Sequence, residues 1–280
     1  MQQRSDPTNW LYVSNCYITV DSFPDGSFRF SLDGLNNVKY SSTVPPHFDI
    51  VLKTTLPEAI MALYQVISAI DQYYGEDIEA YIALYIQTIP DQRADRVERP
   101  GMSIPAQATA AMIAASKVDK VVVYDPHSPV FVEALEAYSD DIEIVTFSSD
   151  LCFGLTVPAV RIDHVVAVDK GAIERAVAVA NFYNAGIIFA DKNRVDGKVI
   201  GHTILTSSRK VEADDTIWVV DDLCDGGATF ISIAKLLRET FNFRELNLYV
   251  THGLFSRGKE ELFKHFTEIH SLFDRSEQNG

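Results

Sequence analysis

The run Thr216-Ile-Trp-Val-Val-Asp-Asp-Leu-Cys-Asp-Gly-Gly-Ala-Thr229 constrains this chain more than any other stretch. Residues 217–220 are apolar without a break, as in a parallel strand covered on both faces. Two carboxylates, Asp221 and Asp222, fall where that strand is expected to end. In an open α/β sheet the carboxyl ends of the strands face the ligand crevice, so both acids are expected to meet sugar hydroxyls or a metal. Asp225, Gly226, Gly227, Ala228 and Thr229 follow. Small residues let backbone N–H groups approach a phosphate, and a helix with Ile231, Ala234 and Leu237 at helical spacing would aim its positive end at the same anion. Strand, paired acids, small-residue loop, threonine and helix together make a nucleoside-phosphate cradle. An ordinary strand-turn-helix with chance acids would not place small and acidic residues at every required position.

The 280 residues, 47% of them hydrophobic, suffice for one large or two medium α/β domains with a substantial core. A formal net charge of -15 repels polyanions, so no nucleic-acid partner is expected and phosphate binding must be local. Cys16, Cys152 and Cys224 have no paired spacing that signals zinc or a disulfide framework, which fits a reducing compartment. The polar start is unlike a secretory signal, and no apolar run approaches the length that spans a bilayer. A cytoplasmic protein with no membrane partner is the expectation.

Along the chain, two short strands are predicted on either side of the turn Phe23-Pro-Asp-Gly26, the bland reading being a hairpin. A strand follows at 48–52, and then a helix at 57–74 with Ile60, Leu63, Tyr64, Ile67, Ile70 and Tyr74 on one face. Next come a strand at 80–86, a loop at 87–101 in which Arg93, Arg96 and Arg99 cluster in an otherwise acidic chain, and a helix at 104–116. A strand at 120–124 ends in Asp125-Pro-His127. The pattern loosens from 140 to 155, and the division between domains is placed there, giving 1–143 and 144–280. The second half is predicted to contain a strand at 165–168 and a helix opened by Asp169, which is equally well read as a plain N-cap. A strand at 186–190 follows. After it, Asp191-Lys-Asn-Arg194 is expected on a turn, followed by a mobile stretch to 210. The cradle comes next, then a strand at 246–250, Thr251-His-Gly253 and an amphipathic helix at 259–270. The fold class is α/β: two related domains, each a mainly parallel sheet flanked by helices, expected to face one crevice.

The 216–229 stretch resembles the phosphoribosyl diphosphate loop of type I phosphoribosyltransferases and their relatives. With the separated motifs before it, the chain resembles ribose-phosphate diphosphokinases (phosphoribosyl diphosphate synthetases) from about Phe23 to His252. Phe23-Pro-Asp-Gly26 is similar to the family's turn that recognises the adenine of ATP from a neighbouring subunit, with Ser27 in place of Glu, so Phe23 and Asp25 are ATP-binding candidates. Gln92-Arg-Ala-Asp-Arg96 is similar to the ATP loop, where Arg93, Asp95 and Arg96 match and Ala94 replaces Gln. His127 matches the family's histidine for magnesium and ATP phosphate. Asp169 matches its metal and ribose acid, although Lys170 departs from the pattern. Lys192 and Arg194 match the catalytic pair of its mobile loop. The ribose-phosphate candidates are Asp221, Asp222, Asp225, Gly226, Gly227, Ala228 and Thr229.

The resemblance implies transfer of the β,γ-diphosphoryl group of Mg-ATP to the anomeric hydroxyl of a ribose 5-phosphate unit, with release of AMP and Mg2+ as cofactor. It implies a homo-oligomer, dimer or hexamer. The residues after Gly253 are short for the family's C-terminal strand and helix, which bears on the hexamer. Family members carry a hydroxyl residue directly after the loop aspartate, whereas Gly226 stands here. The missing hydroxyl leaves room for a substituted 5'-phosphate, so ADP-ribose, used by phage-encoded members of this appearance to rebuild NAD, is favoured slightly over ribose 5-phosphate. Two alternatives are a phosphoribosyltransferase consuming phosphoribosyl diphosphate, which needs no ATP loop, and a non-catalytic regulatory subunit, which needs no catalytic cations.

Overall fold

A computed structural model describes residues 7–75, 77–157, 161–195 and 198–276, with the side chains of 193–195 and 198–200 left undescribed. The chain divides into two compact units, Met1–Phe147 and Ser148–Gly280.

The first unit runs β1 (Leu11–Val13), β2 (Tyr17–Ser22), β3 (Phe28–Asp33), β4 (His47–Leu52), α1 (Glu58–Tyr74), β5 (Tyr81–Ile86), α2 (Pro105–Ala114), β6 (Lys120–Tyr124), α3 (Val130–Tyr138) and β7 (Glu143–Phe147). Its sheet has the order β1-β4-β5-β6-β7, with β1 antiparallel to β4 and the other pairs parallel. The strands β4, β5 and β6 are rich in Ile, Val and Leu because the parallel sheet is covered on both sides. The expected apolar face of α1 is the one that packs: Ile60, Leu63, Ile67, Ile70 and Tyr74 are buried and Tyr64 is half-buried. Each such side chain contributes about 1.5–3 kcal/mol by leaving water. β2 and β3 form the expected antiparallel hairpin.

The second unit runs α4 (Ser149–Thr156), β8 (His164–Ala167), α5 (Ile173–Tyr183), β9 (Gly186–Val195), β10 (Lys198–Ser207), β11 (Thr216–Cys224), α6 (Ala228–Thr240), β12 (Glu245–Gly253) and β13 (Ile269–Asp274). The sheet order is β10-β9-β8-β11-β12-β13, parallel except for the β9–β10 hairpin. Phe153 of α4 sits edge-on to Trp218, Tyr249 and Tyr183 at 4.9–5.3 Å, an aromatic knot in the core. From β8 the chain moves outward through β9 and β10, then returns to the other side of β8 as β11, β12 and β13. The strand order therefore reverses between β8 and β11, where a crevice opens in sheets of this kind.

Several expectations are corrected. The loosened stretch at 140–155 holds β7 and α4, which at 5 and 8 residues are too short to establish a period, and α3 precedes them where no element was predicted. The turn expected at 191–194 is instead the end of β9, and β10 occupies 198–207 of the stretch expected to run to 210, residues 196–197 lying outside the described residues. Polar residues such as Lys192 and Thr203 along this hairpin dilute the apolar pattern that marks buried strands. β11 continues to Cys224, so Asp221 and Asp222 lie inside a strand rather than beyond it. The helix predicted at 259–270 is absent. A 3-10 turn at Leu262–Lys264 leads into β13, which pairs parallel with β12 and supplies a C-terminal strand. The apolar residues that gave the helical spacing are used differently: Leu262 and Phe266 plug into the core from a loop.

Candidate functional site

The reversal point of the second sheet is flanked by β8 and β11, whose register pairs Ala167 with Val220. Beyond this last pair stand Asp169, just after β8, and Asp221 and Asp222, in the part of β11 that runs on past β8. Asp169 caps the 3-10 turn before α5, its Oδ1 accepting from the N–H groups of Gly171 (2.9 Å) and Ala172 (3.1 Å). Its Oδ2 lies 2.5 Å from Nζ of Lys192, which β9 presents from the strand next to β8. Burial pushes the Asp169 carboxyl up, but the Lys192 hydrogen bond and charge and the two amides outweigh it, so its pKa falls below the usual aspartate value. The N-cap role and the pairing with a lysine thus coexist in one side chain.

Asp222 is buried, with Nη2 of Arg175 3.9 Å from its Oδ2, and its N–H donates to Oδ1 of Asp221 at 3.0 Å. Burial first, then the charge of Asp222, push the Asp221 carboxyl well above the ordinary range, against a smaller opposing effect of Arg175. A carboxyl held this way gains from a ligand that brings hydroxyl donors or positive charge. The neighbouring Cys224 thiol is pushed up to about 12, by burial and then by Asp225 and Asp221, which removes it as a thiolate nucleophile.

The small-residue loop joins β11 to α6. Gly227 has φ 78°, left-handed backbone that favours glycine, and a Cβ there would stand 3.0 Å from Leu262. Gly226 has no such backbone requirement. A Cβ on it would meet Nε, Cδ and Cγ of Arg257 at 3.3, 3.4 and 3.7 Å, so the space left by the missing side chain is lined by an arginine. Asp225 is tied down by Ser256, whose hydroxyl donates to Oδ1 at 2.6 Å. Ala228 and Thr229 form the first turn of α6, whose first N–H groups face the loop.

Arg194 pairs through its backbone with Val199 on the hairpin, and its side chain lies outside the described residues. His202 stands opposite Lys192 in the same register and escaped the sequence reading. It is buried, its Nδ1 bonds Ser232 Oγ at 3.0 Å, and its Nε2 has no hydrogen-bond partner among the described residues. Only the pairing register of a hairpin not foreseen from sequence brings it beside Lys192. Arg257 was missed because it lies between Gly253 and the helix expected at 259–270, in a segment to which no element was assigned.

In the first unit the carboxyl ends of β5 and β6 are adjacent. The arginine-bearing loop leaves β5 and Asp125-Pro-His127 leaves β6. They are joined through Gln92, whose buried side-chain carbonyl accepts the His127 N–H at 3.1 Å. Asp125 is buried at φ 40°, a strained left-handed conformation for a non-glycine residue. Arg93 and Arg96 are exposed and Asp95 half-buried. Phe23 and Asp25 lie elsewhere, at the exposed tip of the β2–β3 hairpin. There Asp25 Oδ1 accepts from the Ser27 N–H (2.9 Å) and hydroxyl (2.7 Å), and the Arg29 guanidinium sits 5.3 Å from the Phe23 ring centre.

Two mainly parallel sheets flanked by helices, with acids at a strand-order reversal and a small-residue loop before a helix, define an α/β protein of phosphoribosyl diphosphate synthetase-like fold. The crystal structure of phosphoribosylpyrophosphate synthetase from Mycobacterium smegmatis matches with a TM-score of 0.67 at 18% identity, over 90% of this chain and 78% of that one. No family model matches the chain. Among curated proteins, ribose-phosphate pyrophosphokinase from Ureaplasma parvum is 25% identical over 256 residues, 91% of this chain and 73% of its own length. That from Pyrococcus furiosus is 25% identical over 260 residues, 90% and 84% of the two chains. That from Haemophilus ducreyi is 27% identical over 251 residues, 88% and 74%. The chain is thus a distant homologue of the ribose-phosphate pyrophosphokinases, which are ATP-dependent diphosphokinases, across most of its length. No described helix is long and apolar enough to cross a membrane.

Proposed function

We propose that the protein transfers the β,γ-diphosphoryl group of ATP to the anomeric hydroxyl of a ribose 5-phosphate unit, releasing AMP. The observation that carries this reading is the gathering of Asp169, Lys192, Asp221 and Asp222 at the reversal point of the second sheet, next to a loop built of small residues. Asp221 and Asp222 bind the ribose hydroxyls, and the loop from Asp225 to Thr229 binds the 5'-phosphate through backbone N–H groups. The hydroxyl attacks phosphorus in line, and negative charge spreads over the phosphoryl oxygens. Lys192 and Arg194, with Arg93 and Arg96 from the ATP loop, supply the positive field that this charge requires. Phe23 and Asp25 are assigned to adenine recognition in an oligomer.

The described residues fit a magnesium ion in the usual way of that metal. Among the described residues no three of histidine, cysteine, aspartate and glutamate gather into a cage, so a magnesium ion here would take most of its coordination from nucleotide phosphate oxygens and water. By the resemblance Asp169 in the second unit and His127 in the first are each candidates for holding magnesium, which when bound would neutralise phosphate charge.

Of the two acceptors, ADP-ribose is favoured slightly over ribose 5-phosphate, because Gly226 offers no hydroxyl to a terminal phosphate. Incubating the protein with Mg-ATP and each acceptor in turn, with products identified by mass spectrometry, tests both levels. AMP should form in step with a pyrophosphorylated acceptor, and only when acceptor and magnesium are both present. Release of ADP would point to simple phosphoryl transfer and overturn the proposal.

A further inference from the structure

The β9–β10 hairpin lies at the edge of the second sheet, with β10 as the outermost strand. Its ladder is interrupted twice, between Val199 and Gly201 and between Ile204 and Thr206, and the register that sets His202 opposite Lys192 lies between the two interruptions. Interruptions of this kind bend and twist a strand, so the ladder alone is a loose mount for a functional side chain. The Lys192 ammonium is held by Asp169, but that hold ends when an anion draws the charge away. A second tie does not involve the ammonium. His202 Nδ1 bonds Ser232 Oγ of α6 at 3.0 Å, from a ring that is 8% exposed and feels the charges of Lys192, Asp169 and Asp191. In α6 the Ile231 N–H donates to the Gly227 carbonyl at 3.0 Å, so Ser232 stands one residue beyond the bond that closes the first helical turn onto the loop.

Contacts thus run without a gap from the small-residue loop through the first turn of α6 to Ser232, across to His202, and over the ladder to Lys192. The buried His202 Nε2 has no hydrogen-bond partner among the described residues. Leu or Phe would pack at this position without leaving a polar nitrogen unpaired, so what the imidazole contributes here is its bond to Ser232. A cation and a set of backbone amides serve one ligand well only while the distance between them is fixed, because small misplacements in such a site are costly. We propose that His202 is a positioning residue. Through its bond to Ser232 it fastens the Lys192 strand to the helix behind the 225–229 loop, and Lys192 keeps its place when an anion takes its ammonium from Asp169. This rests on reading Lys192 and the 225–229 loop as phosphate-binding groups.

The test is a double-mutant cycle. Calorimetry with inorganic pyrophosphate as the anion probe, and AMP formation from Mg-ATP with each acceptor, are measured for wild type, Ser232→Ala, His202→Phe and His202→Asn. The binding measurements are repeated in the Lys192→Ala background, and a melting curve on each variant checks the fold. Ser232→Ala and His202→Phe should each weaken pyrophosphate binding and lower kcat about 3- to 10-fold, the range of one hydrogen bond. In the Lys192→Ala background the same changes should alter affinity by less than about 1.5-fold, because their effect runs through a cation that is no longer there. His202→Asn, which keeps an amide near the Nδ1 position for Ser232, should stay within about twofold of wild type. Losses of equal size with and without Lys192 would make the bond purely structural and overturn the proposal. So would a Ser232→Ala protein with wild-type affinity and rate, or pyrophosphate binding that does not depend on Lys192. Lys192-dependent losses in binding by a protein that releases no AMP would retain the positioning role and refute the diphosphokinase reading, whereas AMP formation with equal losses in both backgrounds would do the reverse.

Discussion

Lys192 shows how one side chain serves both structure and proposed chemistry. Its ammonium lies 2.5 Å from Asp169, with only 18% of the side chain exposed. An approaching phosphate would compete for a cation already positioned. Lys192→Ala should lower kcat by about 100-fold or more, since the loss of a cation aimed at transition-state charge is worth several kcal/mol. Asp169 keeps its two backbone donors in that variant, so the fold should survive. AMP formation and a melting curve on the same preparation check both halves. A near-normal rate would remove Lys192 from the mechanism.

His202 makes a prediction about stability. Burial first, and then the positive charge of Lys192, hold its pKa below the ordinary 6.5. The unfolded chain takes up a proton that the folded chain refuses, so the residue's contribution to stability is fully present above about pH 6.5 and is lost as pH falls towards the lowered value. Wild type should therefore lose more stability than His202→Gln between about pH 7.5 and 5.5. Urea denaturation of both proteins at the two pH values reads the difference, and parallel losses would show that His202 does not titrate in this window.

At the scale of elements, the β11–loop–α6 unit carries two adjacent glycines, of which only Gly227 is required by its backbone. Gly227→Ala would force a left-handed residue and press a Cβ to 3.0 Å from Leu262, so a loss of about 2 kcal/mol or more is expected. Gly226→Ala meets only a flexible arginine stem at 3.3 Å and should cost less than about 1 kcal/mol. Urea midpoints of the two variants provide the comparison, and equal losses would contradict it. The β9–β10 hairpin is the element that sequence patterning handled worst. Its strands carry Lys192, Asn193, Arg194, His202 and Thr203, a polar set that reads as a turn because its pairing energy comes from the ladder and not from an apolar face.

For the whole molecule, identity with the ribose-phosphate pyrophosphokinases has fallen to about a quarter, yet the synthetase-like fold persists over 90% of the chain. Local signals in the sequence carried much of this. The continuous apolar runs of β5, β6 and β11 determined parallel, doubly covered strands, and the helical spacing in α1 and α6 determined faces that had to be buried. The acids and small residues around 221–229 marked a candidate phosphate loop, because few residue types allow close backbone approach. Tertiary structure decided the rest. It made a strand of residues 269–274, since an apolar segment takes the conformation its neighbour can pair with and β12 offered a free edge. It set Lys192 against Asp169, His202 across from Lys192 and Arg257 over Gly226, placements that depend on strand register and on a returning loop. No local propensity encodes contacts between residues so far apart in the chain, because they exist only once the sheet has assembled.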